Sequence, residues 1–281
     1  MLDHGVVEHI VNHFFIPPRP DILMAIQEAC RAEDPDIDHL ATLVSRDITL
    51  SAAVLKLLNS PFFGFRSKIE NIKQAAMMLG TSGIESIATA VLLKRAFAGQ
   101  RACIPMDRFW EESQQSADLM YAIGQQFQLE RYVPLDRLYT LGLFFNTGSA
   151  AFAIRFDDYH ELIAQADQDN SISLIELEEQ HYKTDHATVG YILGRTWGLT
   201  NEVLELILEH HSKRFFTHTS DIAQRVAWAA LWLTRNVKRY VRHRDFLSDY
   251  DALHNSIFEL LGMTESDFID LAEDAEQHFS A

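Results

Sequence analysis

Three histidines stand at positions where imidazole chemistry is conceivable. His186 begins an apolar repeat that runs to Trp197, while His210 ends a second repeat and is followed directly by His211. The helical spacing of these repeats places His186 and His210 on inward faces. A neutral imidazole can bind a divalent metal, but a buried histidine can equally be satisfied by hydrogen bonds. Both interpretations stay open, because a metal also needs ligands from other helices.

A second candidate is a run of basic residues at helical spacing. Arg235, Lys238, Arg239 and Arg242 follow one another at i, i+3, i+4 and i+7, so they share one face of a helix. The pattern favours a solvated face that is balanced by the acidic C-terminal segment. The alternative is a binding site for an acidic partner or a phosphate-bearing ligand.

Helical periodicity dominates the chain, and it predicts an all-α protein. We predict helices over residues 22–33, 36–46, 50–58, 72–79, 84–98, 107–128, 135–154, 157–167, 172–182, 186–197, 201–211, 220–242, 249–261 and 265–278. Thr49 and Asn71 are the expected N-caps of the third and fourth of these helices, because short polar side chains satisfy free backbone N–H groups. Gly80 is the expected end of the fourth.

Composition narrows the classes of function. The chain has 281 residues with 40 acidic and 24 basic side chains, a net charge of −16. Such a surface repels phosphate backbones and anionic membranes, so general nucleic-acid binding and membrane association are not expected. Cys30 and Cys103 are predicted to be two buried thiols, although one disulfide is an alternative. The N-terminus does not resemble a signal peptide and the apolar run 226–233 is too short to span a bilayer, so we expect a cytoplasmic protein.

Six blocks of sequence resemble the HDOD domain family in order and spacing, over about residues 15–212. They are SRDITLSAAVLKLLNSPFFGF with KIENIKQAAMMLG, FWEESQQSADLM, YTLGLFFNTGSAAF, LEEQHYKTDHATVGYILGRTWGL and LELILEHHS. The resemblance implies a multi-helix HD-like fold, with an N-terminal bundle of short helices packed on an HD-like lobe. The implied division is residues 1–104, 105–213 and a C-terminal extension, 214–281. Asp47, Asn59 and Ser60 match a family pattern and are expected to fix a turn between short helices.

The HD superfamily also implies a metal site, and this sequence departs from it. Those metal-dependent phosphohydrolases use a His…His-Asp…Asp constellation, which here falls on Glu112, Phe145, Asn146 and Ala230. The resemblance therefore implies that no metal is bound. The only residual ligand set would be Glu112, His186, His210 and His211. Glu178 matches a glutamate typical of the family, and we expect it to orient one imidazole by accepting its N–H.

The sequence and the resemblance together favour a non-catalytic signalling or regulatory protein of a bacterial cytoplasm. It would act through a signalling protein partner or a small nucleotide-like effector, without a cofactor. The expected pocket is formed by Glu112, Asn146, Glu178, His186, His210 and His211, and the segment Pro61–Phe65 would transmit the change. The alternative is an HD-type phosphohydrolase that holds a divalent metal through an atypical ligand set.

Overall fold

A computed structural model describes residues 4–59, 67–169 and 172–279. Within those ranges every regular element is a helix, as the periodicity predicts, and none is a strand. The first five α-helices are α1 (His4–His13), α2 (Asp21–Cys30), α3 (Ile37–Ser45), α4 (Ile48–Leu58) and α5 (Ile72–Phe97). The expected turn residue Ser60 and the proposed transmitting segment Pro61–Phe65 lie outside the described residues.

The remaining helices follow a connection over residues 98–105. They are α6 (Met106–Gln126), α7 (Leu135–Phe144), α8 (Thr147–Arg155), α9 (Tyr159–Gln168), α10 (Leu174–Tyr182), α11 (His186–Thr196), α12 (Asn201–Glu209), α13 (Lys213–His218), α14 (Ile222–His243), α15 (Tyr250–Leu261) and α16 (Glu265–Phe279), with a short 3-10 helix at Leu129–Arg131. The sequence did not predict α1 or α13.

The chain forms two compact units, and their limits differ from the predicted division. One unit is Pro17–Gln100, and the other combines Met1–Ile16 with Arg101–Ala281. The first helix belongs to the larger unit because Ile10 and Phe14 are buried among residues of α8 and α11. Residues 105–213 and 214–281, predicted as separate parts, lie in one unit because α14 contacts α6, α7 and α12.

Of three predicted helix-boundary residues in the smaller unit, one needs correction and two are confirmed. Asp47, and not Thr49, is the N-cap of α4, since its carboxylate accepts from the backbone N–H of Leu50 at 2.9 Å. Asn71 caps α5 as predicted, at 2.8 Å from the N–H of Gln74. Gly80 has φ 75° and ψ 174°, outside the helical region, so the first helical stretch of α5 ends there as predicted and a second stretch continues beyond this kink to Phe97.

The kinked helix α5 is the one helix among the described residues that is long and apolar enough to cross a membrane. Half of its most apolar 18-residue window is buried within the fold. A buried core helix satisfies the same two criteria of length and apolarity, so the finding does not by itself indicate a membrane span.

In the larger unit, the predicted helix 135–154 is broken at Phe145 and Asn146 into α7 and α8. The break lets α8 approach α11 very closely at Gly148. A Cβ atom at Gly148 would lie 1.9 Å from the backbone oxygen of His186, a distance that no side chain could occupy. This glycine therefore permits the close approach that fixes the beginning of α11.

Candidate functional site

The three candidate histidines come together in the larger unit. His186 begins α11, where the Asp185 carboxylate caps the helix by accepting from Thr188 N–H at 2.8 Å. His210 and His211 directly follow α12. The Nε2 atom of His186 lies 3.3 Å from Nε2 of His210 and 3.1 Å from Nε2 of His211. His186 and His210 are each 1% exposed, as their inward spacing predicts.

Glu178 of α10 supports this cluster from behind. It is completely buried, and its carboxylate accepts from the backbone N–H of His186 at 2.9 Å and from Nδ1 at 2.7 Å. The hydroxyl of Tyr159 donates to the other carboxylate oxygen. Burial and the nearby Glu178 charge hold the pKa of Tyr159 well above its usual value, so this hydroxyl stays a donor. We call Glu178, His186, His210 and His211 the histidine corner.

The partners of the Nδ1 atoms define the tautomers of the three rings. A carboxylate and a carbonyl can only accept, so His186 carries a proton on Nδ1 facing Glu178, and His210 carries one facing the oxygen of Ile207 at 2.6 Å. His211 is different, because its Nδ1 lies 3.2 Å from the guanidinium of Arg235, which can only donate. Neutral His211 therefore carries its proton on Nε2 and donates towards His186.

These tautomers decide how well a metal would fit. The separations of the Nε2 atoms resemble the roughly 3.3 Å expected between ligands of a tetrahedral zinc site with Zn–N bonds of about 2.0–2.1 Å. His186 and His210 present free lone pairs, but His211 presents an N–H. The guanidinium of Arg235 adds a positive charge beside it. Three histidines without a carboxylate therefore form an incomplete ligand set. One of them, His211, presents an N–H in place of the lone pair that a metal needs.

Burial and neighbouring charge act on the same rings. Desolvation, with the positive potential of the neighbouring imidazole and Arg235, holds the pKa values of His210 and His211 well below the usual histidine value. Both rings are therefore neutral at pH 7, which agrees with the tautomers assigned from their partners.

The remaining predicted ligand, Glu112, is engaged elsewhere. Its carboxylate accepts from Arg108 at 3.2 Å and from Arg242 at 2.9 Å, and it is not part of the histidine cluster. Phe145 packs edge-on against the His210 ring at a centroid distance of 5.3 Å. The predicted fourfold set of Glu112 and three histidines is thus corrected to three histidines, because opposite charges on α6 and α14 hold the carboxylate.

The basic stripe on α14 is not the solvated face that the sequence favoured. Arg235, Lys238 and Arg239 are partly buried, and only Arg242 is exposed. Lys238 donates to the backbone oxygen of Glu112 at 2.6 Å and to Ser116 Oγ at 2.8 Å. The reason is tertiary, since this face of α14 lies against α6. The acidic C-terminal helix instead pairs with a neighbouring arginine, Arg244, through Glu276. We call Arg235, Lys238, Arg239 and Arg242 the basic wall.

The histidine corner and the basic wall border one cavity of about 560 Å³. Four of the predicted pocket residues line it: Glu112, Asn146, His186 and His211. Glu178 and His210 do not line it but are buried behind it. Further lining residues, which were not predicted from the sequence, come from distant segments: Ile163, Ala166, Ile172, Leu174, Lys213, Leu247 and Asp249. No local pattern marks these residues, because only the packing of the helices brings them together.

Comparison with known proteins agrees with this architecture. The sequence model of the HDOD domain matches residues 16–213. The chain belongs to the HDOD domain family. An uncharacterised protein from Treponema pallidum is 24% identical over 197 residues, which cover 70% of this chain but only 38% of that protein. The chain thus spans about two fifths of that curated protein.

Two solved structures share the helical fold across nearly the whole chain. A protein from Marinobacter aquaeolei, proposed to act in signal transduction, has a TM-score of 0.72 at 15% identity. The match covers 99% of this chain and 62% of the Marinobacter chain. A protein from Shewanella amazonensis, proposed to be a phosphohydrolase, has a TM-score of 0.68 at 16% identity. The match covers 98% of this chain and 94% of the Shewanella chain. At these identities the likeness establishes the fold alone.

Proposed function

We propose that this HDOD protein is a regulatory protein that binds a small effector in the cavity and does not hydrolyse it. The observation that supports the proposal is the occupation of the superfamily's metal positions by other groups. Glu112 is ion-paired with Arg108 and Arg242, and Phe145 packs on His210. At two of the positions that correspond to superfamily ligands, the carboxylate is thus ion-paired with arginines and the phenylalanine offers no ligand atom.

Regulation requires that the bound state reach a second molecule, and a signalling protein partner is the recipient we propose. The Marinobacter structure, itself proposed to act in signal transduction, is consistent with such a role. A bacterial, cytoplasmic setting without nucleic-acid or membrane binding completes the proposal, and it is supported by the acidic net charge of −16.

A metal-dependent phosphohydrolase is the second candidate, and one observation favours it. The Nε2 atoms of His186, His210 and His211 face a common point at separations compatible with metal binding. The Shewanella neighbour is itself proposed to be a phosphohydrolase. Against this candidate stand the tautomer of His211 and the charge of Arg235.

Elemental analysis of protein purified without added metal separates the two candidates. The effector-binding proposal expects substoichiometric Fe, Mn, Ni and Zn, no turnover of nucleotides or cyclic dinucleotides, and a ligand-induced rise in Tm. A stoichiometric metal that is lost in His186→Ala, with hydrolysis lost in parallel, would contradict it. His181→Ala is the matched control, since this histidine of α10 hydrogen-bonds only to Leu177 O among the described residues.

A further inference from the structure

The cations of the basic wall that lie deepest in the cavity have neutral partners. Arg235 donates to the backbone oxygen of His210 at 2.9 Å and to Nδ1 of His211. Lys238 donates to a backbone oxygen and a serine hydroxyl. Among the described residues, neither cation has a carboxylate oxygen within 4.0 Å. Glu112 acts on Lys238, and Asp249 on Arg235, only through longer-range attraction. Partly buried positive charge that is not ion-paired is unfavourable, and an anionic ligand would relieve it.

Arg239 adds a free donor to the same wall. Its side chain is only 12% exposed and one of its terminal nitrogens contacts Asp245 at 3.1 Å. Its Nε atom is buried and has no hydrogen-bond partner within the part of the chain that the structure describes. Buried donors are normally satisfied, so this one is suited to an acceptor that a ligand supplies.

The pKa values of the wall agree with this geometry. Burial lowers the pKa of Lys238 to about 8 and also lowers that of Arg235. Both groups remain largely protonated at pH 7, so they can hold an anion at an energetic cost to the free protein.

The acidic side chains of the cavity do not cancel the wall. Glu112 is shared by Arg108 and Arg242, and Asp167 lies 3.1 Å from His243. Asp249 accepts from the indole N–H of Trp232 at 3.0 Å, and Glu176 is exposed to solvent. Among the described residues, Arg235 and Lys238 therefore form no ion pair, while Arg239 is paired with Asp245 through one terminal nitrogen.

Apolar side chains form one part of the remaining lining and can contact a less polar portion of a ligand. Phe145, Ile163, Ile172, Leu174 and Leu247 line the same cavity. A volume of about 560 Å³ is within the range of small-molecule sites. A ligand that fits has a compact anionic group and a less polar, ring-bearing body, which is the chemistry of a nucleotide.

We propose that Arg235, Lys238 and Arg239 form a phosphate-binding subsite that holds the charged end of a nucleotide. This inference rests on the proposed function, because it names the class of effector that the cavity takes. The planar guanidinium groups offer paired donors to phosphate oxygens, and Lys238 supplies a point charge.

Isothermal titration calorimetry on the full chain tests the subsite. The probes are inorganic phosphate, pyrophosphate, AMP and GMP, with adenosine and guanosine as their uncharged counterparts. The variants are Lys238→Met and Arg239→Gln, and the matched control is Arg244→Gln, an exposed arginine that pairs with Glu276 and does not line the cavity. Circular dichroism and Tm measurements establish that each variant is folded.

We expect saturable binding of the phosphate-bearing probes, at least tenfold weaker in Lys238→Met and Arg239→Gln and unchanged in Arg244→Gln. Adenosine and guanosine should bind at least tenfold more weakly than the nucleotides, and nucleotide affinity should fall as salt rises. Absence of saturable binding of every phosphate-bearing probe to the wild type would overturn the subsite. So would equal affinity in all variants.

The same titrations distinguish the subsite from the function on which it rests. If nucleosides bind as tightly as nucleotides and the variants change nothing, the subsite is wrong but effector binding stands. If the wild type contains stoichiometric metal and hydrolyses the nucleotides, the proposed regulatory function itself is wrong.

Discussion

The histidine corner and the basic wall border the same cavity but satisfy their polar groups in opposite ways. In the corner, hydrogen bonds within the protein satisfy the buried polar groups: Glu178 accepts from two N–H groups of His186 and from the hydroxyl of Tyr159. On the wall, the charged side chains of Arg235 and Lys238 donate hydrogen bonds to uncharged groups, including backbone oxygens. The contrast indicates that a network whose hydrogen bonds are all made within the protein stabilises the fold. Cations that lack an ion-pair partner instead favour the binding of an anionic ligand. Substitutions in the corner should therefore reduce stability, and those in the wall should reduce binding.

The largest expected effect is at the glycine behind the corner. Gly148→Ala places a methyl group against the backbone oxygen of His186, so α8 and α11 must separate, at a cost of about 3–5 kcal/mol in the free energy of unfolding. Gly190→Ala is the matched control on the facing helix, since its Cβ would lie no closer than 3.2 Å to the nearest atom, a methyl group of Ile207, and should cost less. Urea denaturation measures both, and equal losses would contradict the close approach.

The next effect tests the self-satisfied network directly. Glu178→Ala leaves the hydroxyl of Tyr159 and two donors of His186 without their acceptor in a buried site, which should cost about 3 kcal/mol. The adjacent Glu179→Ala removes an exposed glutamate from the same helix and serves as control. NMR of the imidazole nitrogens should show that His186 loses its Nδ1–H preference only in Glu178→Ala. A loss of stability no larger than that of the control would refute the role of Glu178.

The corner was more accessible to sequence reasoning than the wall. Apolar residues at helical spacing identified the inward faces of His186 and His210, because an amphipathic helix buries its apolar stripe. The spacing of Arg235, Lys238 and Arg239 identified a shared face as well. It could not show that α6 covers this face, because that contact joins residues more than a hundred positions apart.

The helix break at Phe145 and Asn146 shows a second limit. The stretch from Leu135 to Arg155 is apolar at helical spacing throughout, so local propensity predicts one continuous helix. The break redirects the chain into α8, and Gly148, which has no Cβ, allows α8 to contact the backbone of α11 at His186. That requirement comes from a distant helix and leaves no trace in the local pattern.

The wall is expected to respond in the opposite sense to the corner. Lys238→Met should raise the free energy of unfolding by about 1–2 kcal/mol at pH 7, because it removes a partly buried charge whose desolvation outweighs the attraction of Glu112. Since the folded-state pKa is lowered to about 8 from an unfolded value near 10.5, the charged lysine opposes folding at pH 7. The destabilisation by the charged lysine decreases as the pH rises from 8 to about 10.5. The stability gained by Lys238→Met should therefore decrease over the same range.

Arg244→Gln is the control for this measurement, because Arg244 is exposed and should show no such pH-dependent gain. Urea denaturation at pH 7 and pH 10 gives both values. A Lys238→Met variant less stable than the wild type at pH 7 would remove the distinction between wall and corner.

The smallest expected effect concerns the one residue that belongs to both sides. His211 is part of the corner, yet Arg235 of the wall donates to it. Because its folded-state pKa is held well below the usual value, the unfolded chain binds a proton near pH 6.5 that the folded chain does not. Wild-type stability therefore falls as the pH decreases below about 6.5. In chelator-treated protein, His211→Gln should gain about 1 kcal/mol relative to the wild type between pH 7 and pH 5.5. His39→Gln, at an exposed histidine of α3, is the control. Equal pH dependence in the two variants would mean that burial and the neighbouring His210 and Arg235 do not keep His211 neutral.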